Sequence, residues 1–322
     1  GVSAIRLVDD IFIGASTIEE AQSLLGVYRD SIRKYELDIN EAKTRILPSS
    51  LDLEEFWPVE IRRELEGYRD DQGTESRRDL PYYLDEVIRK ANKTNDEGII
   101  KFSLKKFDDL KMWDYYWEEL EPFLVRSAIN FPHTLDYVAR IVAWRSEKYF
   151  INVNLWSEVC RNIVSHHSGL RNDSEVTWAL WLLREIGGSI NRAISENVIQ
   201  RCGPLPCLII LDLESRSRIA GGFQRSAVYS RIDGSPMVGD DWLLSYEAER
   251  LFGYRLKTKN RNDHSVFGDL IEAGVSFYDR SARLFVFEDS DPTMVDRAIE
   301  DRRGGYEEEE AGNQDDDEEM PF

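Results

Sequence analysis

Two neighbouring carboxylates, Asp9 and Asp10, are the side chains of this sequence best placed to do chemistry. They stand between two largely apolar runs, residues 5–8 and 11–13, which are rich in β-branched residues. Such runs favour buried strands, so the pattern predicts a hairpin with both carboxylates on its turn. Adjacent hard oxygen ligands can hold Mg²⁺ and still leave coordination positions for phosphate oxygens and water. The pair is therefore a candidate for half of a metal site that serves nucleotidyl transfer.

Adjacent aspartates recur in this acidic chain, and a solvated surface turn is the ordinary role of such a pair. The other groups fall at residues 70–71, 108–109, 240–241 and 315–317. Apolar sequence on both sides distinguishes Asp9 and Asp10 from these groups. For residues 240–241 we expect the start of a helix, because acidic side chains there complement the helix dipole.

The segment after the hairpin predicts a helix and two short strands. Ser16 and Glu19 have the spacing of a capping box, and apolar residues follow at helical spacing over 18–35. This helix is expected to pack on one face of a sheet. Residues 37–39 and 43–47 alternate as short strands, and the second is expected to end at Pro48. The predicted fold of this region is α+β.

The same residues resemble the reverse transcriptases. Residues 7–10, Leu-Val-Asp-Asp, are similar to the catalytic motif of that family, with Leu7 in place of the usual aromatic residue. Residues 37–44 are similar to the next motif, which has the pattern Leu-x-x-Asn-x-x-Lys-Thr. The resemblance implies an RNA-directed DNA polymerase in which Asp9 and Asp10 hold Mg²⁺. It also implies dNTPs as substrates, an RNA template and a DNA product.

Lys43 falls within the second of these motifs. The resemblance makes it the candidate proton donor to the pyrophosphate leaving group. A surface lysine at the start of a strand is the alternative interpretation of Lys43.

The resemblance further implies that the chain is the C-terminal part of a polymerase. It begins at Gly1, beside the aspartate motif, whereas the fingers and a palm strand with another metal-binding aspartate precede that motif in the family. We therefore expect residues 1–50 to be the end of the palm and this chain alone to be inactive. Residues 172–181 and 242–247 also resemble C-terminal segments of bacterial reverse transcriptases of the abortive-infection and phage-defence type, which implies a role in antiviral defence.

Beyond residue 50 the sequence predicts a linker and then a helical domain. A short helix is expected around residues 54–65, and residues 67–79 are almost wholly polar. Residues 51–80 are therefore expected to form a linker that includes this helix. Amphipathic helices are expected to recur over 81–303, and 173–186 should be central to the second core. They predict a solenoid-like stack or an irregular bundle, without a fixed repeat period. The apolar stripes fall at 84–91, at 113–120 with an end before Pro122, at 135–142 and at 155–164.

The composition limits the class of protein. Three cysteines without a Cys-x-x-Cys motif favour a reducing compartment, and they are expected to be packing residues. No apolar run reaches the ~20 residues that cross a bilayer, so we expect a soluble, cytoplasmic protein that does not enter membranes. His166 and His167 are expected at a helix end, in preference to a metal site.

The distribution of charge bears on the partners. The net charge of −20 opposes nucleic-acid binding at long range. The densest cationic run, Arg255, Lys257, Lys259 and Arg261, is nevertheless a candidate nucleic-acid contact, with a solvated helix end as the alternative. Residues 307–319 hold nine acidic residues and no cation, so 304–322 are expected to be a disordered acidic tail. Mimicry of nucleic acid by this tail is a second interpretation.

A second class of function stays open on the sequence alone. The helical domain could be a scaffold that binds nucleic acid or protein, with a palm remnant that has only a structural role. The sequence also leaves a homo-oligomer open.

Overall fold

In the computed structural model the described residues are 3–7, 10–41, 44–48, 57–70, 74–110, 112–232, 239–255 and 265–282. They are mostly helical, with a small β part near the beginning of the chain. The chain divides into two compact units, Gly1–Pro58 and Val59–Phe322. A small β part followed by a helical domain is therefore confirmed as the coarse architecture.

The first unit opens with the predicted hairpin. Strands β1 (Ala4–Leu7) and β2 (Asp10–Ile13) pair antiparallel, from Ala4 opposite Ile13 to Leu7 opposite Asp10. The strands are not buried as predicted, because Ile5 is 72% exposed and Phe12 is 41% exposed. A two-stranded ladder has two faces, and the positions of Ile5 and Phe12 form a face that no described layer of this unit covers.

Helix α1 (Ile18–Arg33) follows, and it begins one residue later than the predicted capping box requires. Thr17 is the N-cap, and its hydroxyl accepts a hydrogen bond from the backbone N–H of Glu20 at 3.1 Å. The Glu20 carboxylate in turn accepts from the backbone N–H of Ser16 at 2.7 Å. The capping side chains are therefore Thr17 and Glu20, where the sequence suggested Ser16 and Glu19, and the Glu20 carboxylate binds the N–H of Ser16.

The two short strands predicted after α1 are not present among the described residues. Residues 37–40 and 44–48 have no regular secondary structure, and Leu37 is 61% exposed. Alternation shows only which side chains a strand would bury, whereas a strand also needs a partner for its backbone. Instead, an ion pair between Arg29 and Glu41 at 2.9 Å ties this segment to α1.

The second unit consists of helices joined by short connections. Two short 3₁₀ turns, Met112–Asp114 and Pro132–Thr134, and a pair of two-residue parallel strands, β3 (Ile190–Asn191) and β4 (Ile219–Ala220), lie between them. The helices are α2 (Trp57–Asp70), α3 (Thr74–Thr94), α4 (Gly98–Asp109), α5 (Trp117–Asn130), α6 (Leu135–Lys148), α7 (Val153–Leu170), α8 (Asp173–Glu185), α9 (Arg192–Arg201), α10 (Pro204–Ser215), α11 (Arg225–Ile232), α12 (Trp242–Phe252) and α13 (Ser265–Glu272). None of the described helices is long and apolar enough to cross a membrane.

The helices stack in two layers. Helix α5 contacts α3 and α7, α6 contacts α4 and α8, and α10 contacts α8 and α12. These contacts join helices that are two positions apart in the chain. Even-numbered helices therefore lie in one layer and odd-numbered helices in the other. This is the packing of an α-solenoid, in which each unit touches only its neighbours.

The range 51–80, predicted as a linker with one short helix, instead contains α2 and the start of α3. Leu65 and Leu80 are completely buried, and Ile61 is 3% exposed. Only one residue in every three or four faces the core in such helices. A sequence can therefore look almost wholly polar and still form packed helices.

Helix α5 passes through Pro122, where the sequence predicts a helix end. A proline inside a helix removes one backbone hydrogen bond. Here the neighbouring Leu120, Phe123 and Leu124 are at most 2% exposed. Burial of these side chains on one face outweighs the loss of that bond.

The central helices of the second unit are α8 and α10, as predicted for α8. In α8, Val176, Leu180 and Leu183 are completely buried, and α10 is buried along almost its whole length. By contrast, none of the described residues in the range 3–48 is buried. Among the described residues, a buried core is thus present in the second unit and not in the range 3–48.

We predict that limited trypsin digestion will remove the first unit before it cuts α2 to α12. Arg33 and Lys34 are exposed cleavage sites in a unit whose described residues from 3 to 48 are not buried, whereas cleavage of the stacked helices requires local unfolding. Mass spectrometry should find a persistent fragment that begins near Val59. Equal rates of cleavage in the two units would contradict this division.

Candidate functional site

The hairpin places the backbone of Asp10 at one end of a short ladder. The last pair is Leu7 with Asp10, so only Val8 and Asp9 connect the two strands. Asp10 is the first residue of β2, one position beyond the turn on which the sequence placed it. Asp9, Lys43 and the side chain of Asp10 lie outside the part of the chain that the structure describes.

In two of the acidic pairs of the helical unit, one aspartate forms an ion pair. Asp109 pairs with Lys106 in α4. Asp241 is the N-cap residue of α12, as predicted, and its carboxylate pairs with Arg231 at 2.8 Å from Nε. Among the described residues, no three His, Cys, Asp or Glu side chains are grouped to hold a metal ion.

Of the cationic run predicted to contact nucleic acid, the structure describes Arg255 alone. It is exposed, and its backbone N–H donates to the Tyr229 hydroxyl at 3.4 Å. Lys257, Lys259 and Arg261 lie outside the described residues. The run therefore stays a prediction.

The cysteines and His167 have the packing roles predicted for them. Cys160, Cys202 and Cys207 are free and buried. Burial raises the pKa of the Cys207 thiol to about 12 and that of Cys202 to about 11, so both stay protonated at neutral pH. His167 lies in the last turn of α7, 3.1 Å from the side-chain nitrogen of Asn172.

A cavity of about 310 Å³ opens between the first turns of α8 and α10. Its walls include Trp178 and the Pro-Leu-Pro sequence at 204–206. Asp173 also lines it and accepts a hydrogen bond from the backbone N–H of Gly203 at 2.8 Å. The Asp173 carboxylate has the same sign of charge as phosphate, and the two prolines have no backbone N–H to donate to it. This cavity is therefore unsuited to phosphate.

A buried carboxylate that the sequence analysis missed lies at the C-terminal end of α10. Asp212 is completely buried. It accepts hydrogen bonds from Arg216 Nε at 3.1 Å, from Arg280 Nε at 2.8 Å and from the Tyr278 hydroxyl at 3.2 Å. Arg184 Nη1, from α8, lies 3.4 Å from Asp212 Oδ2, the oxygen that also accepts from Tyr278. Four side chains from three parts of the chain thus meet on one carboxylate.

The electrostatics of this cluster favour the ionised carboxylate. Burial raises the pKa of Asp212, but the hydrogen bonds and charges of Arg216 and Arg280 outweigh burial, so the pKa lies below its ordinary value. Burial also raises the pKa of Tyr278 to about 12. Tyr278 therefore keeps its proton and can donate it to Asp212 while it accepts from Arg184 at 2.9 Å.

A second buried carboxylate, Glu247 of α12, binds the backbone of the segment that contains Tyr278. It accepts from the Ser276 hydroxyl at 3.1 Å, from the N–H of Tyr278 at 3.1 Å and from the N–H of Phe277. Beside it, the Tyr246 hydroxyl donates to the carbonyl of Val275 at 2.6 Å. We name residues 275–280 the C-terminal strap, because they lie across α10 and α12 and are fixed by both carboxylates.

One sequence signal could have revealed these two residues. Asp212 interrupts the apolar run 207–213 of α10, and Glu247 stands between Tyr246 and Ala248. A charged residue inside an apolar stretch of a helix must find a partner in the core or leave the helix unstable.

Comparison with models of protein families, with curated proteins and with solved structures found no match to this chain. The resemblance to reverse transcriptases therefore depends on the residues of the two motifs alone.

We predict that Asp212→Asn will lower the free energy of unfolding by roughly 3–5 kcal/mol, because it removes the countercharge that the buried Arg184 shares with the part-exposed Arg216 and Arg280. Urea unfolding at pH 7 measures the loss. Asp269→Asn, at an exposed position of α13, is the matched control and should change little.

The effect of Asp212→Asn should also depend on pH. A carboxylate whose pKa is lowered in the folded state stabilises it above the unfolded pKa of about 4, and this stabilisation is lost as the pH falls through the folded pKa. The difference between wild type and variant should thus shrink below about pH 4. A difference that is constant with pH would contradict an ionised Asp212.

We predict that Glu247→Ala will release the C-terminal strap, whereas Glu247→Gln will retain most of it. The Gln carbonyl oxygen can still accept from the N–H groups of Phe277 and Tyr278, but Ala leaves both without an acceptor, at a cost of about 1–3 kcal/mol. Hydrogen–deuterium exchange of these two amides should be much faster in the Ala variant. Equal exchange in both variants would show that Glu247 does not hold the strap.

Proposed function

We propose that this chain is part of an RNA-directed DNA polymerase that joins dNTPs by a two-metal mechanism. The observation that carries the proposal is the hairpin, in which an antiparallel ladder ends at Leu7 and Asp10 and is followed directly by the amphipathic helix α1. The Asp-Asp pair of the sequence stands where the two strands of this ladder are joined. A cytoplasmic role in antiviral defence belongs to the same proposal, through the resemblance of residues 172–181 and 242–247.

The residues at the hairpin fit a Mg²⁺ site in their chemistry. Asp9 and Asp10 are adjacent hard oxygen donors. Mg²⁺ in proteins is usually bound by one or two carboxylates, and its remaining coordination positions are left for water and phosphate oxygens. When bound, Mg²⁺ would stabilise the charge on the pyrophosphate leaving group and favour the ionised form of the attacking hydroxyl. The two aspartates would orient the reacting groups, and Lys43 would donate a proton to the leaving group. The attacking hydroxyl belongs to a primer 3′ end or to a protein.

A helical scaffold that binds nucleic acid or protein is the second candidate function. The observation that favours it is the unequal packing of the two units, since buried residues occur in the helical stack and not among described residues 3–48. A stack with its own core can fold and bind a partner without the hairpin. In that case the Asp-Asp pair would have no catalytic role.

We predict that Asp9→Asn combined with Asp10→Asn will abolish Mg²⁺-dependent dNTP incorporation on an RNA template. The assay uses the longest natural form of the protein that contains residues 1–322. The fold should persist, because removal of two adjacent carboxylates relieves charge repulsion. Asp240→Asn, beside the Arg231-paired Asp241, is the control and should keep full activity. Incorporation by the double variant at the wild-type rate would refute the polymerase and leave the scaffold.

A further inference from the structure

One aromatic side chain of the helical unit is almost fully exposed to solvent. Phe150, in the connection between α6 and α7, is 90% exposed. Its backbone is nevertheless held on both sides. The N–H of Tyr149 donates to the Arg145 carbonyl at 2.8 Å, and Ile151, 4% exposed, accepts from the N–H of Val153 at 3.0 Å. The connection therefore presents a phenyl ring on a fixed backbone, and we name this ring the Phe150 knob.

The segment around the knob has no charged residue. Residues 149–157 contain no Asp, Glu, Lys or Arg, although 32% of the residues in the chain are charged. Val153 in the same segment is 37% exposed. The centres of protein interfaces are poor in charged residues and rich in aromatic ones. The segment therefore has the composition of a contact surface.

The cavity between α8 and α10 has the size and the chemistry to receive such a ring. A cavity of about 150 Å³ is enough for benzene, and this one has about 310 Å³. Two of its polar residues are engaged with the protein itself, since the Asp173 carboxylate accepts from the N–H of Gly203 and the Thr177 hydroxyl donates to the Asp173 carbonyl at 2.6 Å. The edge of an aromatic ring carries partial positive charge, so a phenyl ring suits a neighbouring carboxylate. The remaining walls are mostly apolar: Trp178, Pro204, Leu205 and Pro206.

The aromatic wall of the cavity is held in place before any ring enters. Trp178 makes an edge contact with Trp181, with ring centroids 5.6 Å apart, and the Arg140 guanidinium lies 5.8 Å from the Trp178 ring centroid. Leu205 is 43% exposed, so apolar surface of the cavity is open to solvent. A preformed site loses little entropy when it is filled.

The knob and the cavity lie at opposite ends of α7. Phe150 precedes the first residue of α7, whereas Asp173 of the cavity follows shortly after its last residue, Leu170. Helix α7 has 18 residues, which at 1.5 Å per residue span about 27 Å. One copy therefore cannot place its own knob in its own cavity. A contact between the two must join two copies of the chain.

We propose that the Phe150 knob of one copy inserts into the cavity between α8 and α10 of a second copy. The contact joins two different surfaces, so it leaves a free knob at one end and a free cavity at the other. Association can therefore continue beyond two copies, into a ring or an open chain. Each copy has a net charge of −20, so added salt strengthens the association because it screens the repulsion. This inference goes beyond the polymerase proposal and does not rest on it.

Sedimentation velocity of the 322-residue chain is the test. Protein concentrations on the order of 0.1 mM suit it, because a single side chain buries far less than the ~1,200 Å² of a stable complex. Wild type should form dimers and larger species, with more of them at higher salt. Phe150→Asp and Leu205→Asp should each weaken association at least about ten-fold, because each variant would bury an unpaired charge in the contact.

An equimolar mixture of the two variants is the sharpest arm. Leu205→Asp keeps an intact knob and Phe150→Asp keeps an intact cavity, so the mixture should form a one-to-one complex and no larger species. A symmetric dimer through Phe150 would instead form with Leu205→Asp alone. Association of either variant alone at wild-type strength, a mixture that does not associate, or a monomeric wild type would overturn the proposal.

Tyr82→Asp is the matched control, because Tyr82 is an aromatic residue of α3 that is 70% exposed. It should associate as wild type, and equal weakening by this variant would also overturn the proposal. Urea unfolding of Phe150→Asp and Leu205→Asp should match wild type, since position 150 is exposed and an acidic side chain in the first turn of α10 complements the helix dipole. The Asp9→Asn and Asp10→Asn double variant should associate as wild type, which separates this test from the incorporation assay.

Discussion

The carboxylate of Asp212 is the constraint on which the packing of the helical unit depends. It lies completely buried near the end of α10, the helix at the centre of the stack. An isolated charge in such a place would be very unfavourable, so its partners must be held in position. Those partners come from α8, from α10 itself and from the C-terminal strap. One charge therefore fixes three parts of the chain relative to one another.

The two units differ in what stabilises them. In the helical stack each helix packs on its neighbours, and the strap covers α10 and α12 at the end of the described stack. Terminal elements with a polar outer side are what a stack needs to stay soluble. No described residue of the hairpin unit in the range 3–48 is buried, so what is described of this unit depends on backbone pairing and on surface contacts. The candidate catalytic residues thus belong to the less densely packed unit.

Local patterns allowed the hairpin, α1 and α8 to be predicted, because each depends on residues close together in sequence. The strands predicted at 37–39 and 43–47 are absent among the described residues, because strand pairing is non-local. The short helix expected around 54–65 is present within α2. The start of α3 was not predicted, because few of its residues face the core. Asp212 and Arg280 are 68 residues apart, so their ion pair could not be seen in the sequence. The metal site at Asp9 and Asp10 stays a prediction, since their side chains lie outside the described residues.

Paramagnetic broadening by Mn²⁺ tests the central claim, that the hairpin carries a divalent metal site, most directly. Mn²⁺ takes the same oxygen ligands as Mg²⁺ and broadens the NMR signals of nuclei near it even when it binds weakly. We predict selective broadening of the backbone amides of Leu7, Asp10 and Ile11, and its loss in the Asp9→Asn and Asp10→Asn double variant. Broadening spread evenly over all acidic pairs, or unchanged in the double variant, would contradict a metal site at the hairpin.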